Sequence, residues 1–227
     1  MLGRSHVVLG ALGWLAGSQW LPPDLVHGAG ISGHETLAVT TVACAGAALL
    51  PDLDHPDGTI AQSLGPVTRG AATVLGKLFG GHRNASHGFL FAGVVAALVQ
   101  LLQTMVGREA MAGVLFVLVA FAVRAVKPPR GRARGWGALL IGAQAALVTG
   151  VAWWLVPGPW PWMPYVVGVG CLLHLVGDLL TATGVPLFWP FRRRFSVPLL
   201  GFPGDGDEKV LASLMTGALA FVTIRTF

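Results

Sequence analysis

Long apolar runs, broken by proline, glycine and charge, dominate the chain. They predict seven helices, at about 6–21, 36–50, 87–106, 110–126, 136–156, 163–180 and 209–225. A helix needs about 20 mostly apolar residues to cross the hydrocarbon layer of a membrane. The last five runs meet or approach that length. The first two are shorter, so tilting or polar end turns are expected of them. No internal repeat is visible. The pattern predicts an all-α, polytopic membrane bundle forming a single embedded domain over residues 1–227.

Residues 59–80 have a different rhythm. Ile60, Leu64, Val67, Ala71, Leu75 and Leu78 recur at three- and four-residue steps, and Arg69, Thr73 and Lys77 make a separate polar stripe. This predicts an amphipathic helix lying at the membrane surface. The alternative is an ordinary solvent-facing helix on the same loop.

Composition sharpens the class. The chain is 54% hydrophobic and only 11% charged, with a mean hydropathy of +0.69, whereas a soluble domain carries roughly 25% charged residues. The net charge of +5 then reads as a topology signal, and no zinc finger, helix-turn-helix signature or long basic helix points to nucleic acid. Cys44 and Cys171 lie inside apolar runs and read as small packing residues rather than a disulfide framework. Arg4 followed by an apolar run imitates a signal peptide. His6 inside that run and the lack of an A-x-A cleavage site predict a retained first helix.

Positive charge orients the helices. Lys127, Arg130, Arg132 and Arg134 form the strongest basic loop, which is expected on the cytoplasmic side. Arg192, Arg193 and Arg194 fall on that side one helix pair later, with Arg4, Arg69, Lys77 and Arg83. In the opposite loops, 21–35, 107–109 and 157–162, Arg108 is the only Lys or Arg. The N-terminus is thus expected on the cytoplasmic side and the C-terminus outside.

The acids and imidazoles gather at the cytoplasmic ends of the same map. Leu49-Leu50-Pro51-Asp52-Leu53-Asp54-His55-Pro56 packs two carboxylates and an imidazole directly after an apolar run. Such groups at a membrane boundary need partners or a metal. His6 opens the first helix, His82 and His87 flank the start of the third, and Asp205, Asp207 and Glu208 precede the seventh. His174 and Asp178 are four apart on one helix face, a spacing that lets both reach one metal. Asp52 and Asp54 are two apart and bracketed by prolines, so one is expected to ligate while the other bridges or orients a ligand. His55 is a candidate ligand or proton carrier. His82 and His87 would diverge by about 140° on one helix. The expectation is therefore that His82 sits in the Gly80-Gly81 turn while Ser86 caps a helix begun by His87. Arg83 is placed to clamp a phosphate or carboxylate. His34-Glu35-Thr36-Leu37-Ala38 starts like a zinc-protease motif but has Ala38 where the second histidine belongs. Imidazole and carboxylate without thiolate suits Zn²⁺, Mn²⁺ or Fe²⁺. The candidates exceed what one tetrahedral zinc uses, so on the order of one to three ions are expected.

Four blocks carry a family resemblance: 49–56, then Gly81-His82-Arg83-Asn84-Ala85-Ser86-His87, then His174-Leu175-Val176-Gly177-Asp178, then Gly184 to Pro190. Their order and spacing resemble the YdjM-type family of bacterial inner-membrane proteins, described as metal-dependent hydrolases and also as LexA-binding. That family is similar at a distance to zinc-dependent phospholipase C and the S1/P1 nucleases, helical proteins that hydrolyse phosphate esters at a zinc cluster. The resemblance implies site roles for His6, Asp52, Asp54, His55, His82, His87, His174, Asp178 and Glu208. Ser86 stands where the family usually has threonine, which keeps a hydroxyl. The expected function is a membrane metal-dependent hydrolase cleaving a phosphoester of a lipid or a membrane-adjacent substrate at the cytoplasmic interface. His6, Asp52, His87, His174 and Asp178 are the first-choice ligands, and Asp54 or His55 bridges, orients or acts as general base. Arg83, Arg192 and Arg194 bind the phosphate. Trp189, Phe191 and Phe195 seat their loop in the interface. An amidase or peptidase, or a non-catalytic metal-binding transporter or scaffold, remains as the alternative. Nothing in the pattern sets an oligomeric state.

Overall fold

The computed structural model describes residues 1–81, 83–126 and 134–227. His82 and the basic segment from Lys127 to Arg132 lie outside the described residues. The helices, in order, are α1 (Gly3–Trp20), α2 (Pro23–Gly28), α3 (Gly33–Ala47), α4 (Pro66–Leu78), α5 (Phe89–Val106), α6 (Arg108–Val126), α7 (Arg134–Leu155), α8 (Met163–Leu179) and α9 (Gly206–Thr226). Among the described residues, β-type pairing is confined to the isolated bridges Thr181–Leu200 and Val185–Phe195. The seven expected helices are all present. The short α2, inside a stretch read as loop, is an addition.

Among the described residues, five segments are long and apolar enough to cross a membrane: Gly33–Asp54, Phe89–Val106, Arg108–Val126, Trp136–Leu155 and Gly206–Thr226. The apolar helix α8 is shorter. α1, α3 and α8 pack against one another, α6 packs on α3, and α5 on α8. The outer helices turn bulky apolar groups outward, with Leu147 of α7 69% and Ile224 of α9 80% exposed. That is the surface expected against lipid, where helix association rests on close packing rather than on escape from water. Small residues make the close approach possible at the centre. A methyl at Gly170 would lie 2.5 Å from the Ala47 Cβ, and one at Gly177 3.0 Å from the His6 Nδ1. Cys44 and Cys171 are buried free thiols in this contact layer.

Two local features position the site. Pro51 has no N–H to continue α3, so the chain tightens into a 3-10 turn over Pro51–Asp54. On a turn of three residues, positions two apart point about 120° away from each other, so Asp52 and Asp54 face different partners. The surface segment 59–80 is not one helix. A 3-10 turn, Ile60–Gln62, is followed by Gly65 at φ 67°, a left-handed conformation that favours glycine. Pro66 then opens α4. The helix docks through Thr68 and Ala72 and leaves Val67 75%, Val74 57% and Leu78 72% exposed. The outward turn of Val67 and Leu78 agrees with a helix whose apolar stripe meets the membrane surface, as expected. The stripe is broken at Gly65, and its α4 part turns largely outward.

Candidate metal centre

The end of the bundle where α1 begins and α8 finishes collects five ligand-type side chains from four segments. His6 comes from the first turns of α1, Asp52 from the 3-10 turn after α3, His87 from the 3-10 turn Ala85–His87 before α5, and His174 and Asp178 from α8. Among the described residues, two groups have ligand atoms within 4.8 Å of one another: His6, Asp52 and His174, and His87, His174 and Asp178. His174 belongs to both, so they form one centre. Its Nε2 lies 3.2 Å from the His87 Nε2 and 3.7 Å from both Asp52 Oδ1 and Asp178 Oδ2. His6 stacks on the His174 ring with centroids 3.8 Å apart, and its Nε2 is 3.4 Å from Asp178 Oδ1. His6, His87 and His174 are fully buried, and Asp178 is nearly so.

Hydrogen bonds behind the cluster decide where the lone pairs point. The Ala48 carbonyl can only accept, so His174 Nδ1 donates to it at 2.7 Å. In its neutral form the ring then presents the Nε2 lone pair to the cluster. Ser86 donates its one hydroxyl proton to Asp54 Oδ2 at 2.5 Å. Its oxygen therefore accepts from His87 Nδ1 at 2.8 Å, and His87 Nε2 also presents a lone pair. Two imidazole lone pairs facing each other at 3.2 Å repel unless a cation lies between them. Burial holds the His87 imidazole below its ordinary pKa, which keeps it a neutral donor near pH 7. Both His6 nitrogens and Asp178 Oδ2 are buried without a hydrogen-bond partner. A folded protein rarely leaves such atoms unsatisfied, and a bound cation would take one nitrogen of His6 in one ligand group and the Asp178 carboxylate in the other. The residues present fit a divalent cation.

A sequence profile of the YdjM inner membrane protein family matches residues 1–225. The chain belongs to that family. Inner membrane protein YdjM of Escherichia coli (strain K12) is 28% identical over 160 residues, which is 70% of this chain and 53% of that protein. The Inner membrane protein YdjM of Shigella flexneri gives the same figures. The chain thus spans about half the length of the curated relatives it matches. No solved structure matches it significantly. With the apolar helices, YdjM membership makes this an inner-membrane protein.

The remaining candidates separate around the YdjM centre. Asp54 is drawn to Ser86, with Oδ2 3.9 Å from His87 Nδ1, and belongs to neither ligand group. It orients His87 from behind. Ser86 is not the cap of α5, which starts at Phe89. Its hydroxyl instead joins Asp54 to His87. His55 follows the 3-10 turn, outside both groups, and its Nδ1 accepts the Asp57 N–H at 3.2 Å. Arg83, at φ 57° in the left-handed region, donates through Nη2 to Asp178 Oδ1 at 3.0 Å and through Nη1 to Thr183. Its carbonyl accepts from Arg194 at 3.2 Å. Arg192 is exposed on the same loop.

Glu208 requires a correction. Its Oε1 accepts the Leu2 N–H and the Ser5 hydroxyl, both at 2.6 Å, and its Oε2 accepts the Gly204 N–H at 2.7 Å. The carboxylate caps the start of α1, where unpaired N–H groups favour an acid. It thereby fixes the turn that carries His6 and takes no place in either ligand group. The Met1 amine pairs with Asp178 beside it. Sequence reasoning also missed the Ala48 carbonyl, which no residue type could have signalled.

Proposed function

We propose that this protein is a membrane-bound, metal-dependent hydrolase that cleaves a phosphoester of a lipid or membrane-adjacent substrate. The observation carrying the reading is that three imidazoles and two carboxylates converge at one end of the bundle with the Arg83 guanidinium bonded to Asp178 at their edge. His6, Asp52, His87, His174 and Asp178 would hold the cation, and the all-nitrogen and oxygen donor set favours Zn²⁺, with Mn²⁺ or Fe²⁺ as substitutes. When bound, the metal supplies Lewis-acid polarisation of a phosphoryl oxygen and a lowered pKa for water. Asp52 is the most accessible carboxylate of the centre, 22% exposed against 1% for Asp178. It is suited to orient the incoming water by accepting its hydrogen bond. Arg83, 14% exposed, offers its guanidinium to the phosphate as charge develops there. Arg192 and Arg194 draw the anionic group in from the surface. A site at one end of a bundle, rather than at mid-depth, favours an enzyme over a transporter.

The test is metal-dependent turnover in cells and in vesicles. Comparing the lipids of cells that express wild type or Asp52→Asn, at matched protein levels, is expected to show one phosphoester lipid depleted only by wild type. Its purified form should be cleaved by metal-loaded protein and spared after chelation. No lipid difference between the two strains would remove the phosphoester reading.

The cytoplasmic placement of this end rests on Arg4, Arg69, Lys77, Arg83 and Arg192–Arg194. Since Cys44 and Cys171 are buried, a cysteine at Arg193 is the reporter. It is expected to resist a membrane-impermeant maleimide in intact cells and to react once they are opened. Ready labelling from outside inverts the topology.

A further inference from the structure

A groove of about 600 Å³ opens beside the centre, between the first turns of α5 and the loop 187–191. Its walls are Phe89, Leu90 and Val94 on the helix and Phe188, Trp189 and Phe191 on the loop. The walls are tied at the top, where the Phe89 N–H donates to the Leu187 carbonyl at 2.8 Å and the Phe89 and Phe188 rings meet edge to face at 5.4 Å. The helical wall begins two residues after His87. The loop wall ends at Phe191, which is 75% exposed, and the next residues are Arg192, Arg193 and Arg194, all exposed. The groove runs from Phe89 to Ala97, a rise of about 12 Å. One leaflet of a bilayer has roughly 15 Å of hydrocarbon. α5 is one of the membrane-crossing helices, and only 11% of its residues are buried by the protein.

We propose that this groove seats an acyl chain of an anionic membrane lipid, whose phosphate-bearing headgroup thereby lies at the metal centre under Arg83 and Arg192–Arg194. The proposal rests on the hydrolase reading and names the part of the substrate that reading leaves open. The occupant follows from the surroundings. The groove faces the lipid side of a membrane helix, so hydrocarbon is its solvent, and its cationic rim complements a negative headgroup. Hydrocarbon gains little by moving from bilayer to groove. Selection therefore lies at the rim, where arginines attract an anionic headgroup. The groove sets the depth and direction of the chain, and so the position of the ester.

Gly93 provides the test, because it lines the groove and a Cβ there meets nothing within 4 Å. Full-length protein is reconstituted in phosphatidylcholine vesicles doped with phosphatidic acid carrying a diazirine in one acyl chain. After irradiation, labelled peptides are mapped by mass spectrometry. Labelling is expected to concentrate on 89–97 and 187–191, about tenfold above the lipid face of α7. It should fall by about tenfold when the diazirine is carried by neutral phosphatidylcholine, as a rim preference of about 1.4 kcal/mol requires. Gly93→Trp should reduce groove labelling to the α7 level, whereas Gly93→Ala and Leu147→Trp, the latter on the lipid face of α7, should keep it. Even labelling of α5 and α7, or labelling unaffected by Gly93→Trp, overturns the proposal. The readout is occupancy, not turnover, so a labelled groove in a protein that changes no lipid overturns the hydrolase reading alone.

Discussion

Replacing His174 by alanine is expected to strip the protein of its metal. His174 is the side chain shared by both ligand groups, and its Nε2 is within 3.7 Å of His87, Asp52 and Asp178 atoms. Loss of it leaves no group of three intact. Metal content of purified protein, measured against wild type at the same chelator concentration, should fall by at least tenfold, equivalent to about 1.4 kcal/mol or more in binding. The helical circular dichroism should persist, because the Ala48 carbonyl loses one partner while the α3–α8 contact remains. Asp178 is a less clean choice. It also holds Arg83 and the Met1 amine, so its removal strands the buried amine, takes a partner from Arg83 and mixes folding with ligation. Unchanged metal content in His174→Ala would falsify the ligand assignment and, with it, the hydrolase reading.

Ser86→Ala is the second large effect, and it acts from behind the centre. The hydroxyl fixes the His87 tautomer and satisfies Asp54 at the same time. Partners of this kind typically contribute 10–100-fold, by order of magnitude, to metal affinity or activity. A buried carboxylate left short of a donor adds a stability cost of about 1–3 kcal/mol. The expected outcome is metal affinity lower by about 10–100-fold and an earlier thermal transition. Ser86→Thr keeps the hydroxyl and should recover affinity to within a few fold of wild type. That rescue separates positioning from packing, because threonine enlarges the side chain yet retains the donor. If alanine binds metal as tightly as serine, the Asp54–Ser86–His87 chain does not orient the ligand.

Periodicity and composition determined much by themselves. Apolar runs of membrane length can only be helices, since a lipid-exposed backbone must satisfy its own hydrogen bonds. The seven expected helices are accordingly present. Three of the four motif blocks, with His6, also marked the residues that meet, because imidazoles and carboxylates at the ends of apolar runs are too costly to keep without partners. The amphipathic helix expected over 59–80 is present but shorter, at Pro66–Leu78, because side-chain periodicity continues through Gly65 while its backbone does not.

The division of labour was decided only in three dimensions. Asp52 and Asp54 are chemically identical in sequence. The 3-10 turn imposed by Pro51 turns one toward the centre and the other toward Ser86. Glu208 carries a ligand's functional group but lies where α1 begins, and the unpaired N–H of Leu2 claims it. The lone pairs of His87 and His174 are aimed by a hydroxyl one residue away and by the Ala48 carbonyl 126 residues away. Residue types and spacing determine which chemistry is present. Direction, tautomer and partner are properties of close packing, and those come from the contacts among α1, α3, α5 and α8 that only the folded chain contains.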